Sequence, residues 1–316
     1  MNQKNILVTG SLAFDFIMDF PGNFTDHIHP ELIHNINVSF VINQLKKEYG
    51  GTAGNIAYSL NLLKIPVSII GTAGKDFTPY KNFLKKEGID VSNIKIIKNE
   101  FTSQAYMITD KKDDQITAFY PGAMKFSDTL SVPSKDKPAL MLITPCTSKA
   151  FKKFVFECRN LNIPYMFDPG QHITEIPDEI LADGLNGAKF FIGNDYEYAM
   201  IKKRLNLKDD DFLKKAEIVI VTLGEKGSVI KTGKSSIEIS SAKAKNVVDP
   251  TGAGDAYRAG LVAGYIKGYS LKTCGQMGAT LAAYAIEKYG TQKHRFTIKE
   301  FNKRYEENFG ILKWLK

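Results

Sequence analysis

The chain of 316 residues is expected to fold as a layered α/β domain on a mostly parallel sheet, with ligands at the C-terminal ends of its strands. Three observations predict this. Strand-like and helix-like stretches alternate along the chain, as consecutive βαβ units do. Several strand-like runs, Ile218-Val-Ile-Val-Thr222 the clearest, are continuously apolar and β-branched, as strands covered on both faces must be. The length suits one large domain with a small accessory piece, and we read residues 1–316 as that single domain.

Taken in order, Ile6–Gly10 is predicted as the first strand and Thr52–Lys64 as a helix that begins in glycines. Val67–Gly71 follows as a strand, Pro79–Glu87 as a helix, and Leu140–Thr144 as a strand. Ser148–Asn160 reads as a helix, then Tyr165–Asp168 and Lys189–Gly193 as strands, then Asp195–Arg204 as a helix. Ile218–Thr222 is a strand, and Asp255–Lys267 and Thr273–Tyr289 close the chain as helices. Two segments break this rhythm, from Phe14 to Gln44 and from Phe101 to Phe119. Both alternate apolar and polar residues, and Phe101–Thr109 with Gln115–Phe119 has the pattern of a hairpin turning through Asp110–Asp114. They are expected to form a small sheet off the main body, spanning about 12–48 and 99–126. That sheet is either a lid over a cleft or an edge hairpin without a role.

Composition excludes several classes of function. No apolar run reaches the ~18 residues of a membrane span; the longest candidate, Ala259 to Ile266, ends at Lys267. The first residues pass directly into a strand-like run without the apolar core of a signal peptide, so a cytoplasmic location is expected. Cys146, Cys158 and Cys274 are odd in number and far apart, which argues against disulfides and a zinc cage. The net charge is +8, yet only Arg159, Arg204, Arg258, Arg295 and Arg304 among the 42 basic residues are arginine. The lysines are scattered in pairs, which reads as a solvated surface and not a nucleic-acid stripe.

The chemistry concentrates in residues 249–260, Asp-Pro-Thr-Gly-Ala-Gly-Asp-Ala-Tyr-Arg-Ala-Gly. Three small residues, Gly252, Ala253 and Gly254, open a helix after an extended segment, so backbone N–H groups can close on an oxyanion at its positive end. Asp255, in the first turn, can take a proton from an attacking hydroxyl beside that anion; it can also simply cap the helix. This string, together with Gly50-Gly-Thr-Ala-Gly-Asn55, resembles the two signatures of the PfkB/ribokinase family of sugar and nucleoside kinases, in the expected order ~200 residues apart.

The resemblance covers essentially the whole chain and implies a ribokinase-like three-layer α/β/α sandwich with a small β-sheet lid. It implies Asp255 as catalytic base and Gly252, Ala253 and Gly254 as the anion hole. It places Gly51, Asn55, Ser11 and Asp15 on the acceptor, whose vicinal diol a buried carboxylate would suit. Asn194-Asp-Tyr-Glu197 matches a motif that organises magnesium and phosphate through water, without a direct metal ligand; bottom-up it is a capping box. Thr222, Gly224 and Gly227 resemble the family's nucleotide-phosphate stretch and equally a hairpin turn joining two strands. Asp249 and Gly290-Thr-Gln resemble a potassium site of some relatives. Arg258 could reach a phosphate or form a salt bridge elsewhere. His27 and His29 are expected on one face of a strand, as a metal pair or an exposed polar face.

The implied reaction is transfer of the γ-phosphoryl group of ATP, with magnesium, to a small-molecule hydroxyl. The segment from Asp15 to Phe24 and the Asp255-Ala-Tyr-Arg258 variant resemble the bacterial adenosine-kinase-like branch, which points to a nucleoside and to the 5′-hydroxyl of adenosine. Phe14, Phe16, Phe20, Phe24, Phe40, Phe101, Phe119, Tyr120 and Phe167 offer flat faces for a base, with Phe101, Phe119 and Phe167 first; many of them could equally be lid core. The alternatives are a sugar kinase for ribose or a fructose-type sugar, and a ligand-binding relative that lost the reaction. The chain is expected to act as a monomer or homodimer, without nucleic-acid or membrane partners.

Overall fold

The computed structural model describes residues 5–28, 37–112 and 114–312. The chain starts in the middle of a large sheet with β1 (Ile6–Thr9) and passes straight into a second, smaller one with β2 (Ala13–Asp19) and β3 (Gln44–Gly50). It returns through α1 (Thr52–Leu62) to β4 (Val67–Gly74), α2 (Thr78–Lys86) and β5 (Ile94–Ile97) on one side of β1. A hairpin, β6 (Ser103–Thr109) and β7 (Gln115–Tyr120), then completes the small sheet in the order β3-β2-β6-β7.

The rest builds outward on the other side of β1: β8 (Leu140–Ile143), α3 (Ser148–Asn160), β9 (Tyr165–Phe167), α4 (Asp178–Leu185), β10 (Ala188–Asn194), α5 (Asp195–Arg204), α6 (Asp209–Lys215) and β11 (Ala216–Thr222). A hairpin of β12 (Ser228–Thr232) and β13 (Ser236–Ile239) ends the sheet, and α7 (Ala253–Ile266), α8 (Leu271–Ile286) and α9 (Ile298–Phe309) follow. The large sheet runs β13-β12-β11-β10-β9-β8-β1-β4-β5, parallel from β11 to β5 and antiparallel at β12 and β13.

Strand alternation makes this a three-layer sandwich. Ile6, Val8, Leu140, Leu142, Ile218 and Ile220 pack under α1, α7 and α8, whereas Leu7, Met141, Ile143, Val219 and Val221 pack under α3 to α6. Both faces are dry, so the continuous apolar runs are required rather than incidental. The three cysteines are free and buried, with burial pushing their thiols up, which leaves them inert.

The small sheet is built from β2, β3 and the hairpin of β6 and β7. In the small sheet Asp15 pairs with Glu48 and Ala105, and Ala105 with Phe119, so these four side chains form one row on one face. Phe14, Phe16, Tyr106 and Tyr120 occupy the opposite face by the same register. The expected strand through His27 is corrected. His27 follows a 3₁₀ turn at Phe24–Asp26 and packs edge-on against Phe20 and Phe40, while His29 lies outside the described residues. Among the described residues no helix is long and apolar enough to cross a membrane.

Candidate active site

Because β1 and β8 to β11 are parallel, their C-terminal ends share one edge. Ser11, Asp168, Asn194 and Thr222 all sit there, at or just beyond a strand end. The chain leaves β1 and must turn sharply where β3 meets α1. Gly51 makes that turn at φ +87°, with the position of a Cβ only 2.5 Å from Ser11 O, so only glycine fits. Ser11 is buried and its Oγ accepts from Thr52 N at 3.0 Å, fixing the helix start.

One turn into α1, Asn55 is buried and Nδ2 donates to Asp255 Oδ2 at 2.8 Å. Its Oδ1 accepts from Thr291 Oγ1 at 2.8 Å and from Gln292 Nε2 at 2.9 Å. Gln292 Nε2 also donates to Tyr80 OH at 2.5 Å, and Tyr80 OH donates to Gly50 O at 2.9 Å. Asp15 lies directly over Gly50, where a Cβ would come within 2.0 Å of its carboxylate. The two glycine-rich motifs, ~200 residues apart, are therefore halves of one network.

Asp255 stands at the start of α7, which Gly252 opens in the left-handed region at φ +80°. Ala253 N donates to Pro250 O at 3.2 Å, closing the turn; N–H groups later in the first turn face out along the axis. Asp249 ties this loop to the next: its Oδ1 accepts from Thr251 N at 2.9 Å and its Oδ2 from Gly290 N at 3.0 Å.

The cleft is crowded with carboxyl groups. Burial, then the charges of Asp255, Asp249 and Glu48, push the Asp15 carboxyl up to about 7. Burial raises Asp255 to about 6, offset by the Arg258 charge and the Asn55 hydrogen bond. Asp168 is fully buried and takes a two-pronged ion pair from Arg258, Nε to Oδ2 at 2.5 Å and Nη2 to Oδ1 at 2.8 Å. Of the two readings of Arg258, the salt bridge is the one formed. Glu197 is buried and raised, by desolvation first and Asp168 second. It completes the expected capping box, with Asn194 N donating to Glu197 Oε2 at 2.8 Å and Glu197 N to Asn194 Oδ1 at 2.7 Å.

On the β11 side of α7's first turn lies a cavity of ≈ 540 Å³. Thr222, Gly224 and Gly227 line it with Ala253 and Gly254, and Val247, Ala279, Ala282 and Ile286 supply an apolar wall. The wall escaped sequence reading; its only trace was the run of small residues in α8. Beside the small sheet is a second cavity of ≈ 630 Å³, lined by Thr117 and Phe119 from β7 and by Cys146, Thr147, Gln171 and His172 from the body.

Phe119 is 39% exposed and meets the His172 ring edge-on at 6.1 Å. Phe101 is 45% exposed, but its ring is covered by the Lys75 ammonium at 4.1 Å. Phe167, a candidate stacking ring, is corrected: it is fully buried against Phe151 and Gly184, because alternation turns it into the helical layer.

The chain matches the pattern described as pfkB family carbohydrate kinase over residues 4–297. It is 33% identical to a nucleoside kinase of Methanocaldococcus jannaschii, over 96% of this chain and 98% of that one. It also resembles the nucleoside kinase of Burkholderia thailandensis in complex with inosine, with TM-score 0.89, 32% identity and coverage of 96% and 98%. The same enzyme in complex with ADP-inosine gives TM-score 0.88 at 32% identity, covering 98% of each chain.

The charge cluster has a cost in stability whose sign follows from Asp15. Its carboxyl is raised in the folded protein from 3.8 to about 7, so its contribution is fully present below pH ~4 and is lost as pH rises through 7. Asp15→Asn keeps the shape and removes the charge. Thermal unfolding of this variant is expected several degrees above the parent at pH 8, with the difference shrinking steadily as pH falls from 7 toward 4. A variant no more stable than the parent at pH 8 contradicts a costly buried charge.

Proposed function

The chain belongs to the pfkB family of carbohydrate kinases, and from that premise we propose that its acceptor is a purine nucleoside, adenosine foremost, phosphorylated at the 5′-hydroxyl. It is an ATP-dependent kinase with an alcohol as acceptor, and the nucleoside kinases it matches over full length support phosphorylation of a nucleoside by ATP.

The observation that carries the nucleoside reading is the row Glu48, Asp15, Ala105, Phe119 across the small sheet. Asp15 and Phe119 are two strand spacings apart, roughly 10 Å. Asp15 takes the ribose diol, Ala105 leaves room above the sheet, and Phe119 with His172 offers ring surface to the base. A free pentose would fill only the Asp15 end. The small sheet then serves as the lid, on segments 12–48 and 99–126.

On this reading Asp255 accepts the proton of the 5′-hydroxyl as that oxygen attacks the γ-phosphorus. The O–H bond breaks, an O–P bond forms, and the bond to the bridging oxygen of ADP breaks. The Asn55 bond to Oδ2 orients the carboxylate and leaves Oδ1 for the hydroxyl. A base raised to about 6 is still ionised at neutral pH yet more basic than an exposed aspartate. The small residues Gly252, Ala253 and Gly254 let the first turn of α7 approach the phosphoryl oxygens as they gain charge. ATP lies in the cavity by α8, with its base on the apolar wall and its phosphates toward Gly254.

Magnesium accompanies the ATP. Asn194 and Glu197 hold one another in the capping box at the start of α5. That donor set fits a metal carried by the phosphates and reached from Asn194 and Glu197 through water. When bound, it neutralises phosphate charge. Potassium belongs at the junction that Asp249 makes with the Gly290 loop.

Three outcomes are expected. Asp255→Asn lowers turnover by about 10²–10⁴-fold with little change in nucleotide affinity, and near-normal turnover removes it as the base. Phe119→Ala weakens kcat/KM for adenosine by about 1–3 kcal/mol while leaving free ribose untouched. Should wild-type kcat/KM for ribose or fructose match that for adenosine, the nucleoside reading fails. Turnover also rises on adding potassium to a potassium-free buffer of a large organic cation, and equal rates in the two buffers exclude the potassium site.

A further inference from the structure

We propose that Asp168 is a positioning residue that holds the Arg258 guanidinium away from Asp255, so that the base keeps a cation nearby without pairing with it. The proposal rests on the reading of Asp255 as the base.

Arg258 follows Asp255 by three residues on α7, the spacing at which an arginine ordinarily pairs with an aspartate on its own helix. Here it does not: Asp255 is bonded by the Asn55 amide, and the guanidinium turns toward β9. It passes so close to Gly254 that a Cβ there would lie 2.7 Å from Nη1, which keeps it beside the anion loop. Asp168 is the group that turns it. Its carboxylate is fully buried and meets the fork with both oxygens. Its backbone is fixed at the end of a central strand, where Asp168 N donates to Ile143 O at 3.0 Å.

The charges facing this group come from several elements. Asp255 lies on α7 itself, Glu197 on α5 and Asp168 beyond β9. Asp15 on β2, with Asp249 and Glu48 around it, acts on the other side of Asp255. A buried guanidinium that lost its partner would not stay unpaired, because its donors must be satisfied. Asp255, one turn back on the same helix, is a carboxylate within its reach. Paired there, Arg258 would displace the Asn55 bond, occupy the oxygen meant for the hydroxyl and lower the basicity of the base. At its present distance it does the useful part only, offsetting burial so that Asp255 is ionised at neutral pH.

The test is a cycle of Asp168→Asn, and Asp168→Asn combined with Arg258→Met, read at saturating nucleoside and ATP. Asp168→Asn is expected to lower kcat about tenfold to a hundredfold with nucleoside KM little changed. It should also move the acid limb of the kcat–pH profile down by about a unit, the signature of a base paired with a cation. The double variant removes the freed cation. It should recover part of the lost kcat, with its acid limb above that of the parent. A double variant no more active than the single one, or an acid limb that stays in place in both, overturns the proposal. If Asp168→Asn alone does not fold, the acid limb of the double variant decides: above the parent supports the proposal, unmoved overturns it. Asp255→Asn in the parent separates the two readings, since its loss of turnover stands whether or not Asp168 acts through Arg258.

Discussion

The amide of Asn55 can donate only from its nitrogen and accept only at its oxygen, and the arrangement of the cleft follows from its doing both. Its donor side faces Asp255, so that carboxylate is held in its accepting, ionised form. Its acceptor side must then be met by donors, and Thr291 and Gln292 supply them from a loop beyond α8. Gln292 passes the order on to Tyr80, and Tyr80 to the carbonyl of Gly50, over which Asp15 lies. One side-chain amide thus ties α1, the start of α7, the Gly290 loop and the end of β3 to one another. The five residues from Gly51 to Asn55 matter for the same reason. One helical turn separates the glycine that makes the bend from the amide that reaches Asp255.

Holding these groups together works against the stability of the unliganded protein. Asp15, Asp168, Glu197 and Asp255 come from four elements, and for Asp15, Asp255 and Glu197 burial is the leading cause of their raised values. The Arg258 ion pair relieves part of this, and a backbone N–H from Asn194 relieves part of it at Glu197. Asp15 has only like charges among its named neighbours. A ligand that brings hydroxyl donors to it would relieve more of this cost than at any of the others.

What was legible in the sequence was whatever lies in one contiguous string. Gly50–Asn55 and Asp249–Gly260 could be read because each motif is a turn plus the first turn of a helix, with its geometry set locally. Asp195–Arg204 and Ser148–Asn160 were bounded correctly because their caps are local. Helix α9 escaped although Thr297 and Glu300 form a capping box, and α4 and α6 escaped because they are short. The ion pair of Asp168 with Arg258 joins residues 90 apart and has no local trace beyond an aspartate ending an apolar strand. Phe167 was misjudged because a strand end does not reveal which way the last side chain points. Asp168, the next residue, faces the cleft, so Phe167 must face the helices.

On the proposed reading, the same alternation decides where discrimination between substrates arises. In β2 it sends Phe14 and Phe16 to the back of the small sheet and Asp15 to the front, and in β7 it sends Phe119 to the front. That front face therefore presents a buried carboxylate at one end and ring surface at the other. A ligand lacking the diol leaves that carboxylate unpaired, and a site built to pair with a hydroxyl rejects the analogue without it far more strongly than shape alone can. The half by α8 is built differently, with methyl groups of Ala279, Ala282 and Ile286 forming its wall. Such a wall rewards any flat apolar face and penalises few wrong ones. On the proposed reading, strict choice belongs to the small-sheet side of α7, and the α8 side contributes the hold on phosphates at the start of α7.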